Sequence, residues 1–310
     1  MNPEIFAEWL RRQGYKVYHT DSSYWYNAGP GVYQAFPYHW QIDPSEDELK
    51  DLVRQSGAIA IRYSKPYSCK TGKISYHVIA KLPYEFESFR SQGKNGIRKG
   101  LSQCRIEQVS FTRLADEGWR LQQDTLTRQQ RTKCMTREQW ERICLSAEGL
   151  PGFEVWAAIV GESLAATVIT ARIDDTWTIP YAQSLREYLC LHVNNALFFT
   201  VCSDFLNRPG IKQVFTNLHS LDAPESVDEF KFRMGLIPKP VRQQIYFNSL
   251  FRPFIGRATY KLVKQIQKAN PCNPFWTKAE GIFRFYLEGK LPPEKQCLPE
   301  NLINDLLLES

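Results

Sequence analysis

Between Phe153 and Gly235 the sequence dictates one order of elements, and that order restricts the fold more than any other feature of the chain. Phe153 to Val160 and Ser163 to Ile173 are rich in β-branched and small apolar residues and meet at Gly161-Glu162, a two-residue hairpin signal. Trp177 to Gln183 follows the Asp174-Asp175 turn as a third strand, and Leu189 to Leu206 reads as a buried helix stopped by Asn207-Arg208-Pro209-Gly210. Gln213 to Leu218 is a further strand, and a helix over Pro224 to Met234 ends at Gly235. Strand, hairpin, strand, long apolar helix, strand and helix together make an α/β pattern.

The residues upstream are also α/β. A helix over Pro3 to Gln13 carries Phe6, Trp9 and Leu10 on one face and stops at Gly14. Strands follow at Tyr15 to His19, across Tyr24 to Tyr38 with Gly29-Pro30-Gly31 as the turn, at Gly57 to Tyr63 and at Ile74 to Lys81. Ser45, with Glu48 three residues on, signals a helix start between them. Tyr84 to Gln103 has a helical pattern weakened by Gly93, Gly96 and Gly100, and with Arg90, Lys94, Arg98 and Lys99 it reads as a basic connector. A strand at Ile106 to Phe111 and helices at Asp116 to Arg128 and Thr136 to Glu148 lead into the hairpin, the last with Thr136 and Gln139 as a capping box.

Three local features carry a family resemblance: Asn95-Gly-Ile-Arg-Lys-Gly100 before a strand, the hairpin from Trp156 to Thr167, and Phe230-Lys-Phe-Arg-Met-Gly-Leu236. Over residues 98–241 the chain resembles the GNAT acyltransferases and, in the last motif, their FemAB-like relatives, with Met234 where that class carries phenylalanine. The resemblance implies a mixed sheet flanked by helices, with a degenerate N-terminal GNAT-like half over residues 1–104, a fuller catalytic half over 105–250, and a basic, aromatic, mainly helical extension over 251–310. It further implies transfer of an acyl or aminoacyl group from an activated thioester or ester to an amine or hydroxyl. Acyl-CoA, acyl-carrier protein and aminoacyl-tRNA are the donors it offers. Where acetyl-CoA-using relatives carry a glycine-rich pyrophosphate cradle, this chain has Ser184-Leu185-Arg186-Glu187-Tyr188-Leu189, without glycine. That shifts weight toward an aminoacyl-tRNA or acyl-carrier donor, or toward a binding role.

Such a fold binds its donor where the strands 177–183 and 213–218 part. Lys231 stands where many relatives hold a tyrosine acid, and it could protonate a leaving group or stabilise an oxyanion. Asn217 and His219 share one face of the last strand, and the imidazole could deprotonate an amine. Tyr181 and Gln183 alternate on the preceding strand and are expected to line the cleft. His192 opens the apolar helix, and Arg98 with Lys99 suits a phosphate.

Hydrophobic content of 43% and charged content of 23% exclude a disordered or disulfide-stapled chain. The cysteines at 69, 104, 134, 144, 190, 202, 272 and 297 show no CxxC pair and no metal spacing, so reduced thiols and no metal are expected. Arg11 and Arg12 follow the first apolar residues without a cleavage pattern, and His192, Asn194, Asn195 and Asp204 interrupt the best apolar run; a cytoplasmic chain without a transmembrane segment is the expectation. Phe251 to Lys290 carries eight Lys or Arg against Glu280 and Glu288, and that excess equals the net +6 of the whole chain. With its interleaved aromatics the segment suits tRNA, an acidic carrier protein or an anionic membrane surface. A catalytically silent GNAT-like module that binds such a partner is the alternative reading.

Overall fold

The computed structural model describes residues 2–29, 31–129, 135–221, 226–271 and 273–306; Pro30, Cys134, Pro224 and Cys272, on which parts of the sequence reading fall, lie outside them. The first elements are α1 (Pro3–Arg12), β1 (Val17–His19), β2 (Tyr24–Gly29), β3 (Val32–Phe36), α2 (Glu46–Ser56), β4 (Ala60–Lys65) and β5 (Lys73–Ala80). Next come α3 (Ser91–Gln103), β6 (Arg105–Val109), α4 (Phe111–Arg128), α5 (Arg137–Ala147), β7 (Phe153–Val160), β8 (Ser163–Ile173) and β9 (Thr176–Ser184). The chain closes with α6 (Val193–Leu206), β10 (Gln213–Leu218), α7 (Ser226–Arg233), β11 (Ile237–Phe247), α8 (Arg257–Ala269), α9 (Pro274–Glu288) and α10 (Glu300–Leu306). The contacts divide it into two units, one of residues 1–14, 78–217 and 228–237, the other of 15–77, 218–227 and 238–310.

In the first unit the strands run in the order β10-β9-β8-β7-β6. β6 to β9 pair antiparallel with their neighbours, while β9 and β10 pair parallel. Helices cover both faces. On one, α1 buries Phe6, Trp9 and Leu10, and the Trp9 indole donates to the Ile143 carbonyl at 3.0 Å. α5 starts at the expected Thr136/Gln139 capping box and buries Trp140 completely. On the other, α6 is apolar on nearly every side, as a helix packed on several neighbours must be, and Phe205 stacks on Trp177 with centroids 3.9 Å apart.

The stretch read as a weakened connector is a well-packed helix, and its glycines are the reason. Gly93, Gly96 and Gly100 fall on one buried face of α3. A β-carbon at Gly100 would lie 2.5 Å from the His192 carbonyl oxygen, one at Gly96 2.8 Å from the Asn195 amide, and one at Gly93 3.0 Å from the Arg233 carbonyl. The helix-propensity loss at each glycine is offset by this close backbone approach.

In the second unit the order is β1-β2-β3-β4-β11-β5. Ser45 caps α2 by accepting from the Glu48 N–H, and Gly57 ends it in the left-handed region at φ 69°. Leu49 and Leu52 of α2 join Trp25, Ile61 and Tyr63 in one core cluster. β11, which the sequence reading lacks, lies between β4 and β5 and pairs antiparallel with β4 from Arg242 to Phe247. α8 buries Val263 and leaves Arg257, Lys261, Lys264 and Lys268 exposed. The architecture is the α/β class expected, a mixed sheet flanked by helices.

Candidate functional site

β9 and β10 pair only at Thr176–Gln213, Trp177–Val214 and Thr178–Phe215, and beyond these they part. β9 stays on β8 as far as Ser184, so its other edge has no strand partner from Ile179 to Gln183, and at Ser184 the N–H and carbonyl are taken by Thr125 and Arg128 of α4. The parting coincides with a bulge. The register with β8 jumps between Thr178–Ala171 and Tyr181–Ile169, which leaves Ile179 and Pro180 opposite Thr170 alone. Proline has no N–H to give to a ladder, so a bulge at an open edge is where a strand tolerates it. Because the two strands are parallel, their carboxyl ends diverge together, the place where open α/β sheets bind ligands.

Asn217 lies on the diverging stretch of β10 and brings the second part of the site. Its Oδ1 accepts from the Lys231 ammonium and its Nδ2 donates to Asp228 Oδ1 at 3.2 Å, while Lys231 Nζ reaches the same carboxylate oxygen at 3.0 Å. The Lys231 side chain is 19% exposed and that of Asp228 6%, so the ion pair is mostly withdrawn from water. Asp228 and Lys231 stand three apart on α7 and therefore share a face. Phe230 packs edge-on against Phe198 of α6, and the Met234 carbonyl accepts from the Tyr84 hydroxyl at 2.6 Å. Gly235, at φ 74° and against the Phe89 ring, ends the helix. The Phe-Lys-Phe-Arg-Met-Gly sequence thus seats α7 with Lys231 turned to the end of β10. Asp228 was not among the residues singled out from sequence, although its i,i+3 spacing to Lys231 was legible.

The remaining expected residues separate. His192 takes the left-handed conformation at φ 58°, between a 3-10 turn over Arg186–Leu191 and α6, and its carbonyl accepts from the N–H groups of Asn195 and Ala196. Asn194 donates to Ser184 Oγ at 3.2 Å and Asn195 to Met234 Sδ at 3.2 Å. Arg128 of α4, missed in the sequence, ties down the same end of β9 by donating to the Ser184 carbonyl at 2.7 Å. Arg98 and Lys99 are exposed on the face of α3 opposite its glycines, with the Arg98 guanidinium over the Phe86 ring at 4.9 Å. Tyr181 packs edge-on to Trp9 and Trp140, each at 6.2 Å. Gln183 is 3% exposed and accepts from Thr167 Oγ1 at 3.0 Å, while its Nε2 is buried without a hydrogen-bond partner. These two residues line the α1/α5 side of the sheet, and Lys231 and Asn217 stand at the end of β10.

His219 belongs to the second unit. Its ring stacks on Tyr76 at 4.6 Å, its Nδ1 is 3.1 Å from Ser75 Oγ, and its carbonyl accepts from Arg62 Nη2 at 3.0 Å. It lines an open cavity of about 690 Å³ whose described lining residues all belong to that unit. Among the described residues, no group of three His, Cys, Asp or Glu could hold a metal ion, and no helix is long and apolar enough to cross a membrane. Cys69, Cys104, Cys144, Cys190, Cys202 and Cys297 are free thiols.

No family model matches the sequence, and no curated protein matches it. Solved structures do resemble it. FemX superposes with a TM-score of 0.54 at 9% identity, over 80% of this chain and 92% of that one. The C-terminal domain of a putative lysylphosphatidylglycerol synthetase from Agrobacterium fabrum superposes with a TM-score of 0.53 at 12% identity, over 79% of this chain and 87% of that one. At such identities the likeness is one of fold: the chain shares the fold of FemX and of that synthetase domain.

Proposed function

We propose that the chain transfers an acyl or aminoacyl group from an activated ester or thioester to an amine or hydroxyl, at the edge where β9 leaves β10. The observation that carries this reading is the open edge of β9 beside the Lys231–Asn217–Asp228 cluster. An extended acyl amide can add to a free strand edge by main-chain hydrogen bonds, which fixes the carbonyl for attack. The acceptor nitrogen or oxygen forms the new bond to that carbonyl carbon, and the bond to the donor's oxygen or sulfur breaks. Lys231 gives a proton to the leaving atom and recovers one from the acceptor, while its charge stabilises the oxyanion. Asp228 and Asn217 act as positioning residues that hold the ammonium in place.

The donor that fits best is an aminoacyl-tRNA or an acyl carrier, because the segment after β9 has no glycine and winds into a 3-10 turn instead of a pyrophosphate cradle. One of the similar structures is named for a lysyl-bearing product, which supports an aminoacyl group. The exposed cations of α8 suit an anionic partner of that kind. The non-catalytic reading has one observation in its favour: the Lys231 ammonium already has two acceptors and could be a strut.

Incubating the protein with labelled aminoacyl-tRNA, acyl-CoA and acyl-carrier protein, with hydroxylamine as a general amine acceptor, separates the two. Hydroxamate formed from one donor, lost in Lys231→Ala with the fold retained, supports the transferase. No consumption of any donor, or full turnover by Lys231→Ala, removes it.

A further inference from the structure

The cavity of the second unit is a binding site in its own right, and it has a chemistry. Its floor is β-sheet, from Tyr26, Gln34, Ala60 and Arg62, and one wall is the segment Leu218 to Leu221. The other wall is a single face of α9: Phe275, Lys278, Ala279, Ile282 and Phe283 recur at the three- and four-residue steps of a helix stripe. α9 is held close because Gly281 has no side chain; a β-carbon there would lie 2.4 Å from the Leu221 carbonyl oxygen, and that oxygen accepts from Arg284 Nη2 at 2.8 Å. At the rim, Gly31 sits at φ 72° against Ile59, where a β-carbon would come within 2.7 Å of the Ile59 side chain.

The walls are mostly aliphatic and aromatic, yet two cations, Arg62 and Lys278, border the space and, among the described residues, no acidic side chain does. Arg62 is fixed rather than mobile: its Nε donates to Gln243 Oε1 at 2.7 Å and its Nη2 to the His219 carbonyl. Tyr26 and Tyr38 add a hydroxyl pair at 2.6 Å, and burial pushes the Tyr26 phenol up to about 12, so it stays a neutral donor. A sugar or nucleotide would lose water from many hydroxyls against such walls without regaining partners. A hydrocarbon body gains from burial there, and the lining offers the cations Arg62 and Lys278 to an anionic group.

We infer that this cavity binds an amphipathic anion, a molecule with a hydrocarbon chain and one negatively charged head group, with the chain along the α9 stripe and the head toward Arg62 and Lys278. The volume of about 690 Å³ falls in the range of pockets that enclose a whole ligand of this size. The inference does not rest on the transferase reading, since every lining residue lies in the second unit and binding needs no donor.

Calorimetric titration below the micelle concentration tests it, with laurate as the free acid, lauroyl-lysophosphatidylglycerol as the lipid form, and dodecanol and lauroyl-lysophosphatidylcholine as uncharged-head and zwitterionic controls. At least one anionic probe should saturate at one per chain, and whichever of the two binds more tightly identifies the source. Dodecanol and the phosphatidylcholine form should bind at least tenfold more weakly. Lys278→Glu should weaken the anionic probe at least tenfold, and Ala279→Trp, which fills the space from a half-buried helix position, should abolish its binding. Failure of both anionic probes to saturate, equal binding of dodecanol, or parental affinity in both variants overturns the assignment. The dodecanol comparison uses the unaltered protein and stands even if a variant does not fold.

Discussion

Replacing Gly100 with alanine tests whether α3 is seated by its glycine face. In an exposed helix the change stabilises by about 0.8–1 kcal/mol, because glycine loses more conformational freedom on folding. At Gly100 the new carbon would stand 2.5 Å from the His192 carbonyl oxygen and 2.9 Å from the Ala196 β-carbon. Neither atom is the far end of a flexible side chain. Ordinary carbon contacts begin at about 3.5 Å, so α3 must lift by roughly 1 Å, and Gly96 draws away from Asn195. Overpacking of this kind costs about 1–3 kcal/mol, which after the propensity gain leaves a net loss of up to about 2 kcal/mol. In a unit of this size that lowers the melting temperature by up to about 8 °C. Circular dichroism melts of Gly100→Ala beside Asn95→Ala, an exposed position on the same helix, make the comparison. Asn95→Ala should melt with the parent or slightly above it. A Gly100→Ala protein that melts above the parent, as the propensity gain alone predicts, would refute the close approach of α3 and α6.

Three further outcomes follow from sites described above. Lys231→Met removes one half of a mostly buried ion pair and should cost about 3 kcal/mol in urea unfolding, less in the Asp228→Asn background; additive losses would mean that the two side chains do not interact. His77 is held 2.8 Å from Ser64 Oγ, and burial pushes its pKa down to about 3. The folded chain therefore keeps it neutral while the unfolded chain protonates near 6.5, so stability falls as the pH drops below 6.5, by about 2 kcal/mol at pH 5; His77→Gln should flatten the pH 5–7 dependence by that amount, and an unchanged slope would discount the buried imidazole. Exchanging Arg257, Lys261, Lys264 and Lys268 for Gln should leave stability within about 0.5 kcal/mol and abolish any salt-dependent binding to an anionic partner; unfolding would mean that the lysine stems are packing residues.

The hairpin of β7 and β8 and the strand β10 were legible to the residue, since alternation and turn chemistry act locally there. β11 was not. Its first residues include Pro238 and Pro240, and its buried Arg242 and Gln243 break the apolar pattern. Those polar groups find partners far along the chain: Arg242 donates to the Tyr67 and Gly72 carbonyls and Gln243 Oε1 accepts from Arg62, while Gln243 Nε2 stays buried without a partner. Lys231 and Asn217 were legible as neighbours because a strand and the next helix bring them together. The cavity was not legible, for its walls come from segments separated by most of the chain.

The contact of Trp9 with the Ile143 carbonyl spans 134 residues of sequence. On a ribosome that adds 5–20 residues per second, roughly 7–27 s pass between the appearance of α1 and that of its docking site. Throughout that interval Phe6 and Trp9 lack their ring contacts with Phe153 and the Trp9 indole lacks its acceptor, so this apolar face of α1 waits uncovered by α5 and β7 while more than a hundred residues are added.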